Sequence, residues 1–142
     1  MSVTDETSID VRVRYAETDQ MGVAYHAHYL IWCELARTRH MANQGVHYRD
    51  LEADGLHLPV VDVHFRYRAP ARYDDLVRVR CWVRRVASRL VEFGYAIERP
   101  SDNLLLATAR TSLIAVDSNH AIKTIPGDVR KLLVPVSDPI RL

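Results

Sequence analysis

Residues 29–36, reading YLIWCELA, would leave almost no polar side around a helix, and this limits the fold more than any other stretch of the chain. The pattern predicts a helix from Ala27 to about Gln44, stopped by Gly45 and turning polar only from Arg37 to His40. A helix that is apolar all round has to be covered on most sides. The rest of the chain must therefore supply a sheet to cover it.

Five segments alternate as half-buried strands should. In Ser8–Tyr15, Ile9, Val11, Val13 and Tyr15 share one face. In residues 58–68, Val61, Val63, Phe65 and Tyr67 oppose Asp62, His64, Arg66 and Arg68, with Pro70 and a turn at 71–75 following. Residues 76–85 carry Val77, Val79, Cys81 and Val83 on one face, and Val91, Phe93, Tyr95 and Ile97 mark the next strand. Pro100–Asn103 reads as a hairpin turn before a last strand over 104–116, and Pro126–Leu133 reads as a short closing helix. One buried helix followed by hairpin-linked strands predicts an α+β fold with a largely antiparallel sheet. Such a sheet leaves an open edge and an uncovered outer face, which predicts a homodimer or homotetramer.

The 142 residues fit one domain, 1–142, large enough to bury a real core. With 19 basic against 18 acidic residues, nothing in the charge balance points to nucleic acid. Cys33 and Cys81 form no metal-ligand pattern and read as buried free thiols. The start, MSVTDETSID, has no apolar signal-peptide core, and no apolar run approaches the ~20 residues of a membrane span. A cytoplasmic location is expected.

The chemistry concentrates between the first strand and the helix, where Glu17, Thr18, Asp19, Gln20, Met21 and Gly22 read as a loop. Gly22 allows backbone shapes closed to other residues and a close approach of substrate to the main chain. No well-placed Ser, Thr, Asp or Asn caps the helix near His26 or Ala27, so its first N–H groups are free to meet an oxyanion. Asp19, a few residues upstream, could attack a carbonyl directly or activate a water. Glu17 would point the same way if the segment stayed extended, and mutual repulsion would then raise one of the two pKa values.

The run Y-x-E-T-D-x-x-G-x-x-Y-H-x-x-Y, followed by E-L-A-R-T-R, resembles the active-site segment of hot-dog-fold thioesterases of the 4-hydroxybenzoyl-CoA branch, and more closely the acyl-CoA thioesterases associated with the Tol-Pal system. LPVVDVHFRYRAPARYDDLVRV and the ending IPGDVRKLL extend the resemblance over nearly the whole chain. It implies a long central helix wrapped by a curved five-stranded sheet and hydrolysis of acyl-CoA to free acid and CoA. It also places the catalytic carboxylate at Asp19 and the oxyanion backbone donors near Tyr25 and His26. CoA is implied along a subunit interface, its phosphates on Arg84, Arg85 and Arg89 around Ser88, whose guanidinium groups suit phosphate. Met21, Gly22, Tyr29 and Trp32 are candidates for the substrate pocket.

Other readings compete. Asp19 alone could simply form an Asx turn. Glu34 is a second candidate carboxylate on the helix, with Arg37 and Thr38 as structural partners. His26 and His28, two apart, fall on different sides of a helix, so no metal is expected, nor any cofactor beyond the thioester substrate. A hydratase would call for a His-containing, Pro/Gly-rich motif at the helix start, which this chain lacks. From a different class comes a non-catalytic acyl-CoA or acyl-carrier-protein binding or scaffold protein, which would bind thioesters without turnover.

Overall fold

A computed structural model describes residues 5–142; Met1–Thr4 of the polar N-terminal stretch lie outside the described residues. The strands are β1 (Glu6–Arg12), β2 (Val60–Tyr67), β3 (Leu76–Val86), β4 (Leu90–Arg99) and β5 (Leu104–Ile114), and the helices are α1 (His28–Asn43), α2 (Tyr48–Ala53) and α3 (Gly127–Leu132). The strands form one antiparallel sheet in the order β1-β3-β4-β5-β2, open at both edges. This is the hot-dog arrangement, with α1 packed chiefly against β1 and β3.

The alternation seen in the sequence decides which side of the sheet α1 occupies. Val79, Ile97 and Ala107 lie in cross-strand register, as do Cys81, Tyr95, Ala109 and Phe65, and all but Phe65 are fully buried. From the helix, Tyr29, Trp32, Cys33, Ala36, His40 and Met41 complete the core. Gly45, at φ +90°, ends α1 in a Schellman motif: Val46 N–H donates to Met41 O at 2.8 Å and Gly45 N–H to Ala42 O at 2.9 Å.

Two expectations change. The first strand stops at Arg12 rather than Tyr15, because Tyr15–Glu17 tighten into a single 3-10 turn. Tyr15 consequently stands in solvent, its ring edge-on to Tyr73. The helix, moreover, is not covered all round by its own sheet. Ile31 is 48% exposed and Leu35 53%, while Val61 and Val63 on the edge strand β2 are 53% and 41% exposed. An apolar stretch of the helix and an apolar stretch of the edge strand are thus both left open.

Candidate active site

The loop between β1 and α1 is built from three local devices. Glu17, buried beneath the 3-10 turn, accepts the Arg14 N–H on Oε1 at 2.8 Å and the Trp32 indole N–H on Oε2 at 3.0 Å. Burial alone would raise its pKa. The hydrogen bonds from Arg14 and Trp32, with the Arg14 charge, outweigh burial and hold the carboxyl below its ordinary range. Glu17 therefore does not share a face with Asp19, and the repulsion expected of an extended segment does not arise.

The second device is a tight hairpin. Asp19 N–H donates to Val23 O at 2.9 Å, Gly22 N–H to Asp19 O at 3.0 Å, and Thr18 bridges Ala24. This is a three-residue loop whose third residue must take positive φ, and Gly22 supplies it at +78°. Asp19 Oδ1 accepts the Met21 N–H at 2.8 Å, which fixes the carboxylate by an Asx turn. The turn reading and the functional reading of Asp19 are thus compatible.

The third device joins this loop to the strand connection at residues 69–72. Ala71 O accepts the Ala24 N–H at 2.8 Å, and Ala71 N–H donates to the Tyr29 hydroxyl at 3.0 Å. Arg99 clamps the same connection from below through Asp75 at 3.0 Å. Between the joined segments lies a cleft of about 350 Å³ lined by Asp19, Val23, Ala24, His26, Tyr29, Tyr67, Arg68, Ala69 and Pro70.

The expected donors divide. Tyr25 N–H is bonded to Glu17 O at 2.8 Å, so Tyr25 has no free donor for an oxyanion, and that assignment is corrected. His26 N–H and Ala27 N–H carry no hydrogen bond among the described residues, and Ala27, the residue before α1, offers no side-chain cap. Both residues are exposed beside the cleft. The positive end of the helix dipole adds to these two donors.

Of the expected pocket residues only Tyr29 lines the cleft. Trp32 lies behind it, 1% exposed, its ring 4.8 Å from that of Tyr29. Met21 and Gly22 occupy the hairpin tip, with Met21 82% exposed, because the turn that orients Asp19 points its neighbours into solvent. Tyr67, Arg68, Ala69 and Pro70 also line the cleft, although the sequence marks them only as a strand and its end. The signal was there: alternation put Tyr67 on the apolar face of β2, one turn before Pro70.

Arg84 is corrected as a phosphate ligand. Its Nε and Nη2 donate to Asp138 at 2.9 Å each and its Nη1 pairs with Glu92, so no donor face is left over. Arg85, Ser88 and Arg89 are exposed around the β3–β4 turn, and neither arginine has a carboxylate partner among the described residues. Glu34 is exposed and lies 3.8 Å from Arg37, the structural pairing expected for it. Burial pushes the Cys33 and Cys81 thiols up, so neither is a thiolate nucleophile.

Known proteins share this fold. Residues 13–133 match the family described as the thioesterase-like superfamily. The Bacillus subtilis protein YneP is 40% identical over 76% of this chain and 78% of its own length. The acyl-CoA thioester hydrolase YbgC of Escherichia coli is 32% identical over 75% and 79%. Among solved structures, TT1821 of Thermus thermophilus superposes with a TM-score of 0.83 at 36% identity, covering 89% of this chain and 96% of that one. The DHNA-CoA thioesterase of Staphylococcus aureus superposes with a TM-score of 0.79 at 32% identity, covering 87% and 81%. The chain therefore belongs to the thioesterase-like superfamily and is an enzyme of the thioester-hydrolase class.

Proposed function

We propose that this chain, as a single domain over residues 1–142, hydrolyses acyl-CoA thioesters with Asp19 as the reacting carboxylate. The observation that carries the reading is that Asp19 and His26 line one cleft at the uncapped start of α1. Asp19 Oδ1 is engaged by Met21, which leaves Oδ2 for chemistry. In the nucleophilic route Oδ2 adds to the thioester carbonyl carbon and the displaced electron pair settles on oxygen. The His26 and Ala27 N–H groups stabilise that oxyanion, and its collapse expels CoA thiolate and leaves a mixed anhydride, which water opens. In the water route Asp19 takes a proton from water, and the resulting hydroxide attacks the same carbonyl. Both routes yield free acid and CoA and call for no metal or redox cofactor.

Arg85 and Arg89, beside Ser88, are the remaining candidates for the CoA phosphates. The exposed Ile31 and Leu35 of α1, and Val61 and Val63 of β2, support pairing with a second copy of the chain, as a homodimer or a dimer of dimers. No described helix is long and apolar enough to cross a membrane. Two buried free thiols suit a reducing compartment, in support of the cytoplasm.

The test is Asp19→Asn and Asp19→Ala against a panel of short aliphatic, aromatic and long-chain CoA thioesters, with detection of released thiol. Loss of turnover in folded variants is expected. Near wild-type turnover by a folded Asp19→Ala protein would sink the assignment, and thioester binding without any turnover would favour the non-catalytic binding module. A single turnover in ¹⁸O-water separates the routes, because label in the Asp19 carboxylate arises only from the anhydride.

A further inference from the structure

Tyr67 ends the edge strand β2 and reaches across the cleft to the start of α1. Its hydroxyl donates to the His26 carbonyl at 3.0 Å. Among the described residues the only other bond to that carbonyl, from Tyr29 N–H, is long at 3.4 Å, and no side chain caps the helix. The phenol ring is itself held. It lies edge-on to Tyr29 (5.2 Å, 79°) and stacked on Phe65 (5.4 Å, 12°), while its backbone pairs with Ala107. Tyr29 in turn is anchored to Ala71.

The His26 carbonyl and the Ala27 N–H belong to one peptide group, which is planar and stiff. A bond that fixes the oxygen therefore fixes the direction of the N–H at the other end. Donation into the carbonyl also polarises the group, and chains of this kind strengthen each bond by roughly 10–30%. The hydroxyl proton is directed at His26, so the phenol is not placed to act as an acid toward substrate.

We propose that Tyr67 is a positioning residue of the oxyanion site, acting through the His26–Ala27 peptide to aim and polarise the Ala27 N–H. The inference rests on the thioesterase reading of the same cleft. It assigns function to a tyrosine whose hydroxyl is bonded to the His26 carbonyl rather than to Asp19. Because an oxyanion demands more of a donor than a ground-state carbonyl does, the contribution falls on the transition state.

Tyr67→Phe keeps the ring contacts and removes only the hydroxyl. On any thioester that the wild-type enzyme cleaves, kcat is expected to fall about tenfold with KM changed by less than about twofold. In ¹⁵N–¹H spectra the Ala27 amide is expected to move while that of Tyr25, bonded to Glu17, stays in place. Unchanged kcat, or a rise in KM alone, overturns the proposal, and so does an Ala27 amide that does not move. A wild-type enzyme that cleaves no thioester removes the function reading instead, and the amide measurement still decides whether the tether exists.

Discussion

The indole N–H of Trp32 meets the buried carboxylate of Glu17 at 3.0 Å, tying the second turn of α1 to the loop that carries Asp19. A hydrogen bond to a charged, desolvated partner is worth about 1.5–3 kcal/mol. Trp32→Phe should therefore lower unfolding stability by roughly that amount in urea titrations. It should also reduce kcat, because the Asp19 hairpin loses its footing on the helix.

Two buried groups contribute to the response to acid, Glu17 and His40, alongside the exposed or half-buried Asp102, Asp117 and Asp138, whose carboxyls are also held low. Glu17 has a folded pKa below its ordinary 4.5, so its stabilisation is complete above that value and is lost as pH falls through the lower, folded pKa. His40 is fully buried, with Nδ1 on the Thr7 hydroxyl at 2.8 Å and Nε2 unpartnered among the described residues. Burial lowers its pKa below 6.5, against the opposing pull of Asp5 and Glu6. The imidazole therefore favours the fold above pH 6.5, and that stability is lost as pH falls toward the folded pKa. Melting temperature measured from pH 7.5 downward is expected to decline first through the His40 window and then through that of Glu17. Glu17→Gln should shrink the second decline, which Asp102, Asp117 and Asp138 share, and leave the first.

Gly22 can be tested for backbone conformation alone. A Cβ built there meets nothing within 4 Å, so Gly22→Ala acts only through the cost of φ +78°, about 1–2 kcal/mol for an L-residue. A lower kcat with a small loss of stability is expected, with Gly22→Asn milder because Asn tolerates this region better. Equal activity of all three proteins would show that the hairpin does not set the Asp19 geometry.

Gly94 is a matter of space. A Cβ there would lie 2.6 Å from Trp82 Cε2, and that indole is fully buried and hydrogen-bonded to Asp138 at 2.9 Å. Gly94→Ala should destabilise by about 1–3 kcal/mol through overpacking. The cost should shrink when Trp82→Leu is present as well, a non-additivity measurable by a double-mutant cycle.

The arginines around the β3–β4 turn should separate by kinetics. Arg85→Ala with Arg89→Ala is expected to raise KM for a CoA thioester several-fold, while leaving KM for the same acyl group on N-acetylcysteamine, which has no phosphates. Arg84→Ala should lower stability by releasing Asp138 and Glu92. A rise in the CoA KM confined to Arg84→Ala would reverse this division.

What was legible in the sequence was whatever repeats with a period. The alternation of β3, β4 and β5 and the apolar run of α1 follow directly from which side chains face the core. The missing helix cap was legible as well, since it depends on local residue types, whereas only the family resemblance singles out Asp19 from Glu17 and Glu34. Contacts made at long range were not. That Glu17 turns inward depends on Trp32, and that Tyr25 loses its N–H depends on the Glu17 carbonyl. Arg84 is taken by Asp138, 54 positions away. Tyr67 looked like one more apolar strand residue because its partner, the His26 carbonyl, is a backbone atom that no side-chain pattern announces.

Ala71 joins the two walls of the cleft through its own peptide groups, with Ala24 bound to its carbonyl and Tyr29 to its N–H. Those partners lie more than forty positions earlier in the chain. The cleft therefore has no local precursor, because neither the hairpin nor the helix start can hold its place until the middle of the sheet has formed. During refolding, helix content should return before any thioester is cleaved. Recovered turnover then serves as a clock for the last long-range closure of the chain.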